Sequence, residues 1–298
     1  MSMENSQMTK PLKKGDLFKI VAASSPISKK EDLQSGIKVL QEWGLKCINI
    51  DALDRSWGYL AGNDEVRFNE LHTNNDYPLL AFARGGWGSA RLLEKRQPWK
   101  KGWMVGFSDL TSILLARLAA GFQGGIHGPL ITTLGSEPSW SKDRLKSILF
   151  GNVVPDIYGD PWGGGVSKGH LIVGNLTVLT HLIGTQHAPS FKESILILED
   201  IGEAPYRIDR MLTHLRLAGV LQQISGLGFG SFDFCENDKN IDKTKTFELL
   251  DIFKDRTQDL KIPIVSNLPI GHCCGNASLP LGSQAIMNGE LGSLSLLK

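Results

Sequence analysis

The stretch WMVGFSDLTSILLARLAA, residues 103–120, decides the fold. Its first five residues form an apolar run without polar alternation, as a strand covered on both faces requires. A turn of small residues follows around Ser108, then a strongly apolar helix from about residue 109 to 120. A buried strand leading into a buried helix is half of a parallel crossover unit. The pattern repeats upstream. Apolar runs at 17–23, 45–50 and 78–83 are separated by helical patterns at 29–42, 63–72 and 89–95. Gly44 stands where a C′ glycine ends the first helix, and Asn63 caps the second ahead of Asp64 and Glu65. The first half therefore reads as an open, mostly parallel α/β sheet.

Downstream the composition changes. A helix near 142–149 is followed by residues 151–168, where Pro155, Pro161 and Gly163-Gly164-Gly165 suggest a linker. Strands are expected at 170–173, 195–198, 224–229 and 262–265, and helices at 176–183, 207–217 and 243–253. Asn288-Gly289, between apolar runs in 285–296, has the signature of a two-residue hairpin turn. The expected organisation is a 1–150 α/β domain, a 151–168 linker and a 169–298 β-rich α+β domain.

The chain has 298 residues with 32 Lys+Arg against 31 Asp+Glu, and 41% of its residues are apolar. Such a composition excludes an intrinsically disordered chain and gives no electrostatic reason to expect nucleic acid or anionic lipid as partner. The longest apolar candidate for a membrane span, 113–122, is interrupted by Arg117, and the N-terminus lacks the apolar core of a secretory signal. Cys47, Cys235, Cys273 and Cys274 form no zinc-type pairs and read as reduced thiols. A soluble, cytoplasmic, two-domain protein is expected, with no membrane or nucleic-acid partner.

The corner Val105-Gly106-Phe107-Ser108-Asp109 would expose a hydroxyl at a helix N-terminus, where backbone amides can receive a developing oxyanion. The competing reading is that Ser108 or Asp109 only caps the helix. The second glycine of G-x-S-x-G is missing, which argues against an α/β-hydrolase proper. Arg84-Gly85-Gly86-Trp87-Gly88 lies at the preceding strand–helix junction, on the same sheet edge. An amide of Gly85 or Gly86 with that of Asp109 would form a two-donor oxyanion hole, with a phosphate-binding or plain tight turn as alternatives.

A serine nucleophile needs a base and an acid that orients it. Of the seven histidines, His72, His181 and His214 fall in helical patterns and His187 in a polar loop. His127 and His170 remain open, while His272 sits in a stiff loop, LPIGHCCGN (268–276), directly after a strand. A metal at Cys273, Cys274 and His272 would lack well-spaced ligands. Glu199 and Asp200 end the apolar strand at 195–198, and Glu203 is a further candidate acid.

In their order along the chain, FARGGWGSARLL, VGFSDLT, LILEDIGEAPYRIDRML and LPIGHCCGNASLPLG resemble the L,D-carboxypeptidase family of serine peptidases, the muramoyl-tetrapeptide carboxypeptidases and their microcin-immunity relatives. The resemblance implies Ser108 as nucleophile, Glu199 as triad acid and His272 as base. It places the oxyanion donors at the amides of Gly85 and Asp109, with Gly86 as alternative for the first. It further implies an N-terminal α/β domain joined to a C-terminal β-rich domain, a site in the interdomain cleft, a small murein-peptide substrate, no cofactor or metal, and a homodimer. The Cys273-Cys274 pair departs from the family pattern and has no functional account. Arg84, Arg207 and Arg210 are candidates to grip the substrate carboxylate. Two other readings stay open. One is an immunity-type hydrolase of peptidyl- or aminoacyl-nucleotides, with Trp57 or Trp162 as an aromatic platform. The other is a non-catalytic small-molecule binder.

Overall fold

The computed structural model describes residues 9–48, 54–73, 75–237 and 243–297. The leader's first eight residues and residues 49–50 of the expected second strand lie outside the described residues. The chain divides into two compact units, with strands and helices numbered along the chain.

The first unit comprises Met1–Pro155, Gly184–Pro189 and Cys274–Gly282. Its sheet holds β1 (Leu17–Val21), β2 (Lys46–Ile48), β3 (Leu79–Phe82), β4 (Trp103–Gly106), β5 (Gly125–His127) and β12 (Leu279–Pro280), in the order β12-β5-β4-β3-β1-β2. The five N-terminal strands pair in parallel, and β12 closes the edge antiparallel, Leu279 opposite His127. Helices α1 (Lys30–Glu42), α2 (Asp64–Leu71) and α3 (Thr111–Ala119) lie in the crossovers, and α4 (Ile131–Leu134) and α5 (Ser139–Phe150) follow β5. Phe18, Ile20 and Ala22 join Leu33, Ile37 and Leu40 of α1 and Leu145 and Ile148 of α5 in one core. Helix α3 is buried from Thr111 through Arg117, so its sequence is apolar all round rather than striped. A sheet ordered 2-1-3-4-5 reverses direction between β1 and β3, and ligands bind outside the carboxyl ends at such a point.

The second unit comprises Asp156–Ile183, Ser190–Cys273 and Ser283–Lys298. It holds β6 (Ile157–Tyr158), β7 (Asp160–Pro161), β8 (Val166–Asn175), β9 (Ser194–Ile201), β10 (Gly226–Asp233), β11 (Ile264–Ser266), β13 (Gln284–Asn288) and β14 (Ser293–Leu296), in the order β6-β14-β13-β8-β9-β10-β11-β7. The neighbours β8 to β11 are parallel, and the flanking pairs are antiparallel. The parallel crossovers carry α6 (Leu176–Leu182), α7 (Pro205–Leu217) and α8 (Leu249–Thr257).

Four local expectations change, the first being the helix expected at 243–253, which is a 3-10 turn, Lys243–Lys245, followed by α8 from Leu249. Residues 151–168 are not a bare linker, because β6, β7 and the start of β8 lie within them. The triglycine supports pairing: Gly163 donates to the Gly289 carbonyl at 2.9 Å, and Gly289 donates to Gly165 at 2.9 Å. That pairing also alters the hairpin. Asn288 faces Ser293, leaving residues 289–292 as the loop instead of a two-residue turn. Asn288 Oδ1 accepts from the amides of Glu290 and Leu291, each at 3.0 Å, and so shapes the longer loop. The helix expected at 89–95 is a 3-10 segment, Ala90–Glu94.

Candidate active site

Strand β4 ends at Gly106, Phe107 remains extended, and Ser108 opens a 3-10 turn, Ser108–Leu110, that runs into α3. Ser108 has φ +63°. A left-handed serine costs about 1–3 kcal/mol and persists only where its surroundings over-determine it. Gly85 lies directly against it: a Cβ at position 85 would stand 3.0 Å from Ser108 Oγ and 3.7 Å from the Asp109 amide nitrogen. Any side chain there would press on the serine. Gly86 faces elsewhere, since its Cβ would stand 2.3 Å from Ser25 Oγ. The Asp109 carboxyl is buried, and Oδ2 accepts from Ser24 Oγ at 2.6 Å and from the Ser89 amide at 2.8 Å. Burial pushes its pKa up against the pull of these bonds.

In the second unit, residues alternate across β9, so Glu199 and Asp200 point to opposite faces. The alternation separates their duties. Asp200 accepts from Asn175 Nδ2 at 2.9 Å, from the Thr177 amide at 2.9 Å and from Thr177 Oγ1 at 2.8 Å, and is spent on holding the start of α6. Glu199, fully buried, meets His272 Nδ1 at 2.7 Å through Oε2. Gly271 makes room for this contact: at φ +111°, a Cβ there would stand 2.6 Å from Glu199 Oε2. With Nδ1–H given to the carboxylate, Nε2 is the proton-accepting nitrogen. Burial acts to lower the His272 pKa, but the hydrogen bond and charge of Glu199, reinforced by Asp200 and Asp233, outweigh it and hold it above the ordinary value. Complete burial pushes the Glu199 carboxyl up, opposed by the hydrogen bond and charge of His272.

Of the predicted site residues, Ser108, Gly85 and Asp109 thus meet in the first unit, and Glu199 and His272 in the second. Arg84, in the first unit, donates to the Pro26 carbonyl at 2.9 Å. Arg207 and Arg210, in the second, both lie over the exposed ring of Tyr206, at 5.8 and 5.9 Å, and Arg207 pairs with Glu203 at 3.2 Å. Glu203 is therefore engaged by Arg207. His127 is fully buried with its ring edge-on to Phe107 at 5.7 Å, and His170 Nε2 lies 3.3 Å from the Ser190 carbonyl. Trp57 is exposed, and Trp162 packs on Phe229 at 5.9 Å. Cys273 and Cys274 carry reduced thiols. No group of three or more metal-ligating side chains occurs among the described residues, and no helix among them is long and apolar enough to cross a membrane. Sequence reading missed Ser24, Ser89 and Asn175, short polar residues whose partners lie on other segments of the chain.

The family model of the LD-carboxypeptidase N-terminal domain matches residues 18–128, and that of the C-terminal domain matches residues 168–287. A Synechocystis sp. relative is 41% identical over 96% of each chain. The murein tetrapeptide carboxypeptidase of Pseudomonas aeruginosa is 31% identical over 91% of this chain and 92% of its own. The crystal structure of muramoyltetrapeptide carboxypeptidase from Oxalobacter formigenes superposes with a TM-score of 0.80 at 28% identity, covering 94% of this chain and 97% of the other. Two matched domains, the shared fold and full-length identity agree: the chain belongs to the LD-carboxypeptidase family.

Proposed function

We propose that this chain is a serine-type L,D-carboxypeptidase that releases the terminal D-alanine from murein tetrapeptides in cell-wall recycling. The observation that carries the reading is the buried 2.7 Å bond between His272 Nδ1 and Glu199 Oε2. It fixes a basic imidazole of the kind a serine nucleophile requires. The strained Ser108 corner supplies such a nucleophile. The names of the Pseudomonas and Oxalobacter relatives support the murein peptide as substrate.

In this mechanism His272 Nε2 takes the proton of Ser108 Oγ as the oxygen attacks the carbonyl of the L,D peptide bond. The amides of Gly85 and Asp109 receive the tetrahedral oxyanion, each donor worth on the order of 3 kcal/mol of transition-state stabilisation. Glu199 holds the tautomer and balances the imidazolium. The C–N bond breaks, D-alanine leaves with the proton from His272, and water releases the acyl group by the reverse sequence. Arg84, Arg207 and Arg210 are the candidates for the terminal carboxylate. No metal or cofactor enters the scheme. Family resemblance supports a homodimer, which light scattering of the purified chain tests.

The test is mass spectrometry of products from an L,D-tetrapeptide, a D,D-pentapeptide and an aminoacyl-adenylate analogue. Free D-alanine from the tetrapeptide alone is the expected result. Cleavage of the adenylate analogue alone would move the chain to the microcin-immunity branch, whose Escherichia coli member MccF is 24% identical over 99% of this chain.

A further inference from the structure

We infer that the buried Asp109 carboxylate is a positioning residue, a clamp that ties the loops after β1, β3 and β4 together and thereby holds Ser108 in its left-handed conformation. The inference rests on Ser108 being the nucleophile. Both bonds to the carboxylate arrive on Oδ2 and come from different loops: Ser24 Oγ, after β1, at 2.6 Å, and the Ser89 amide, after β3, at 2.8 Å. Ser89 also grips the main chain beside the nucleophile, its Oγ donating to the Asp109 carbonyl at 2.7 Å. Ser112 Oγ reaches the same carbonyl at 3.2 Å and Ser89 Oγ at 2.6 Å. Ser24, Ser89 and Ser112 are fully buried, so water does not compete for these bonds.

A second buried group mirrors the carboxylate. Arg67 Nη1 donates to the carbonyls of Ala23 and Gly88, the residues immediately before Ser24 and Ser89. The guanidinium thus takes the acceptors, and the carboxylate the donors, of the same two loop segments. Arg67 is anchored by the Gly62 carbonyl at 3.0 Å and by Asp64 at 2.5 Å. An ordinary helix cap would accept amides of its own first turn. Asp109 instead reaches across the sheet edge, which separates this arrangement from capping.

The consequence is specific. Without the clamp the strained φ of Ser108 relaxes, and both Oγ and the Asp109 amide shift together. Displacement by about 1 Å of groups that act in the transition state costs on the order of 10²-fold in rate. The loss falls on kcat, because the displaced hydroxyl and amide act in the transition state.

The test compares tetrapeptide hydrolysis and thermal unfolding in Ser24→Ala, Asp109→Ala, Asp109→Asn and Ser108→Ala. Asp109→Ala is expected to lose roughly 10²-fold in kcat with KM within about twofold. Asp109→Asn, which keeps one acceptor oxygen, recovers about tenfold of that loss, and Ser24→Ala, which removes a single donor, loses about tenfold. Ser24→Ala stays informative if Asp109→Ala fails to fold. Unchanged kcat with only a lowered melting temperature, or a loss carried by KM, overturns the clamp while Ser108→Ala remains inactive. Turnover persisting in Ser108→Ala overturns the nucleophile reading and the clamp with it.

Discussion

The two units fix the side chains of the proposed site by opposite means. In the first, the geometry resides in the backbone: Ser108 stands at φ +63°, and Asp109 collects donors from loops distant in sequence. In the second, it resides in a side-chain pair, His272 on Glu199 at 2.7 Å, admitted because position 271 has no Cβ. A hydroxyl has little electrostatic identity to hold it, so its path must be set by the chain. An imidazole beside a carboxylate is set by charge and hydrogen bonding. Under the proposed assignment, the Ser108 corner should be sensitive to steric change, and His272 to electrostatic change.

The largest effects break both halves at their reacting atoms. Ser108→Ala should lose turnover by at least ~10⁴-fold with its circular dichroism unchanged. Glu199→Gln should follow, with kcat falling roughly 10³–10⁴-fold as the amide favours the wrong tautomer. It also carries a pH signature. The base works when neutral, and Glu199 raises the His272 pKa, so removing the charge lowers that pKa. The acidic limb of the kcat/KM profile should therefore move to lower pH. A limb that stays in place would show that Glu199 does not set the charge of the base.

Smaller effects sharpen the contrast. Gly85→Ala places a methyl 3.0 Å from Ser108 Oγ and should cost on the order of 10²-fold in kcat with little loss of stability. Gly271→Ala combines φ +111° with a methyl 2.6 Å from Glu199 Oε2, and should lower stability by about 1–3 kcal/mol, read by denaturant unfolding, as well as activity. Arg207→Ala comes last. Its pair with Glu203 is solvent-exposed, so the melting temperature should not move, and any effect should fall on KM.

What the sequence made legible follows the same division. Apolar runs without alternation revealed the parallel strands because burial on both faces writes itself locally. The strand–turn–helix corner offered Ser108 as the candidate nucleophile, and the end of β9 offered Glu199 and Asp200, with Glu203 beyond it, of which Glu199 is the one that meets His272. The clamp was hidden. Ser24, Ser89 and Asp109 are common turn residues, and they meet only because the order of the sheet brings three loop ends together. The edge strand β12 was hidden for a related reason: two residues carry no periodicity, and Leu279 finds His127 only in the folded sheet. Asn288-Gly289 in isolation reads as a tight turn, and the longer loop forms where the triglycine segment pairs with it.

Labelling by a fluorophosphonate, followed by intact mass and peptide mapping, interrogates nucleophile and base together. One adduct on Ser108 is predicted, absent from Ser108→Ala and formed at least ~10³-fold more slowly in His272→Ala. An adduct on another residue, or equal labelling of the wild-type chain and His272→Ala, would contradict a Ser108 activated by His272.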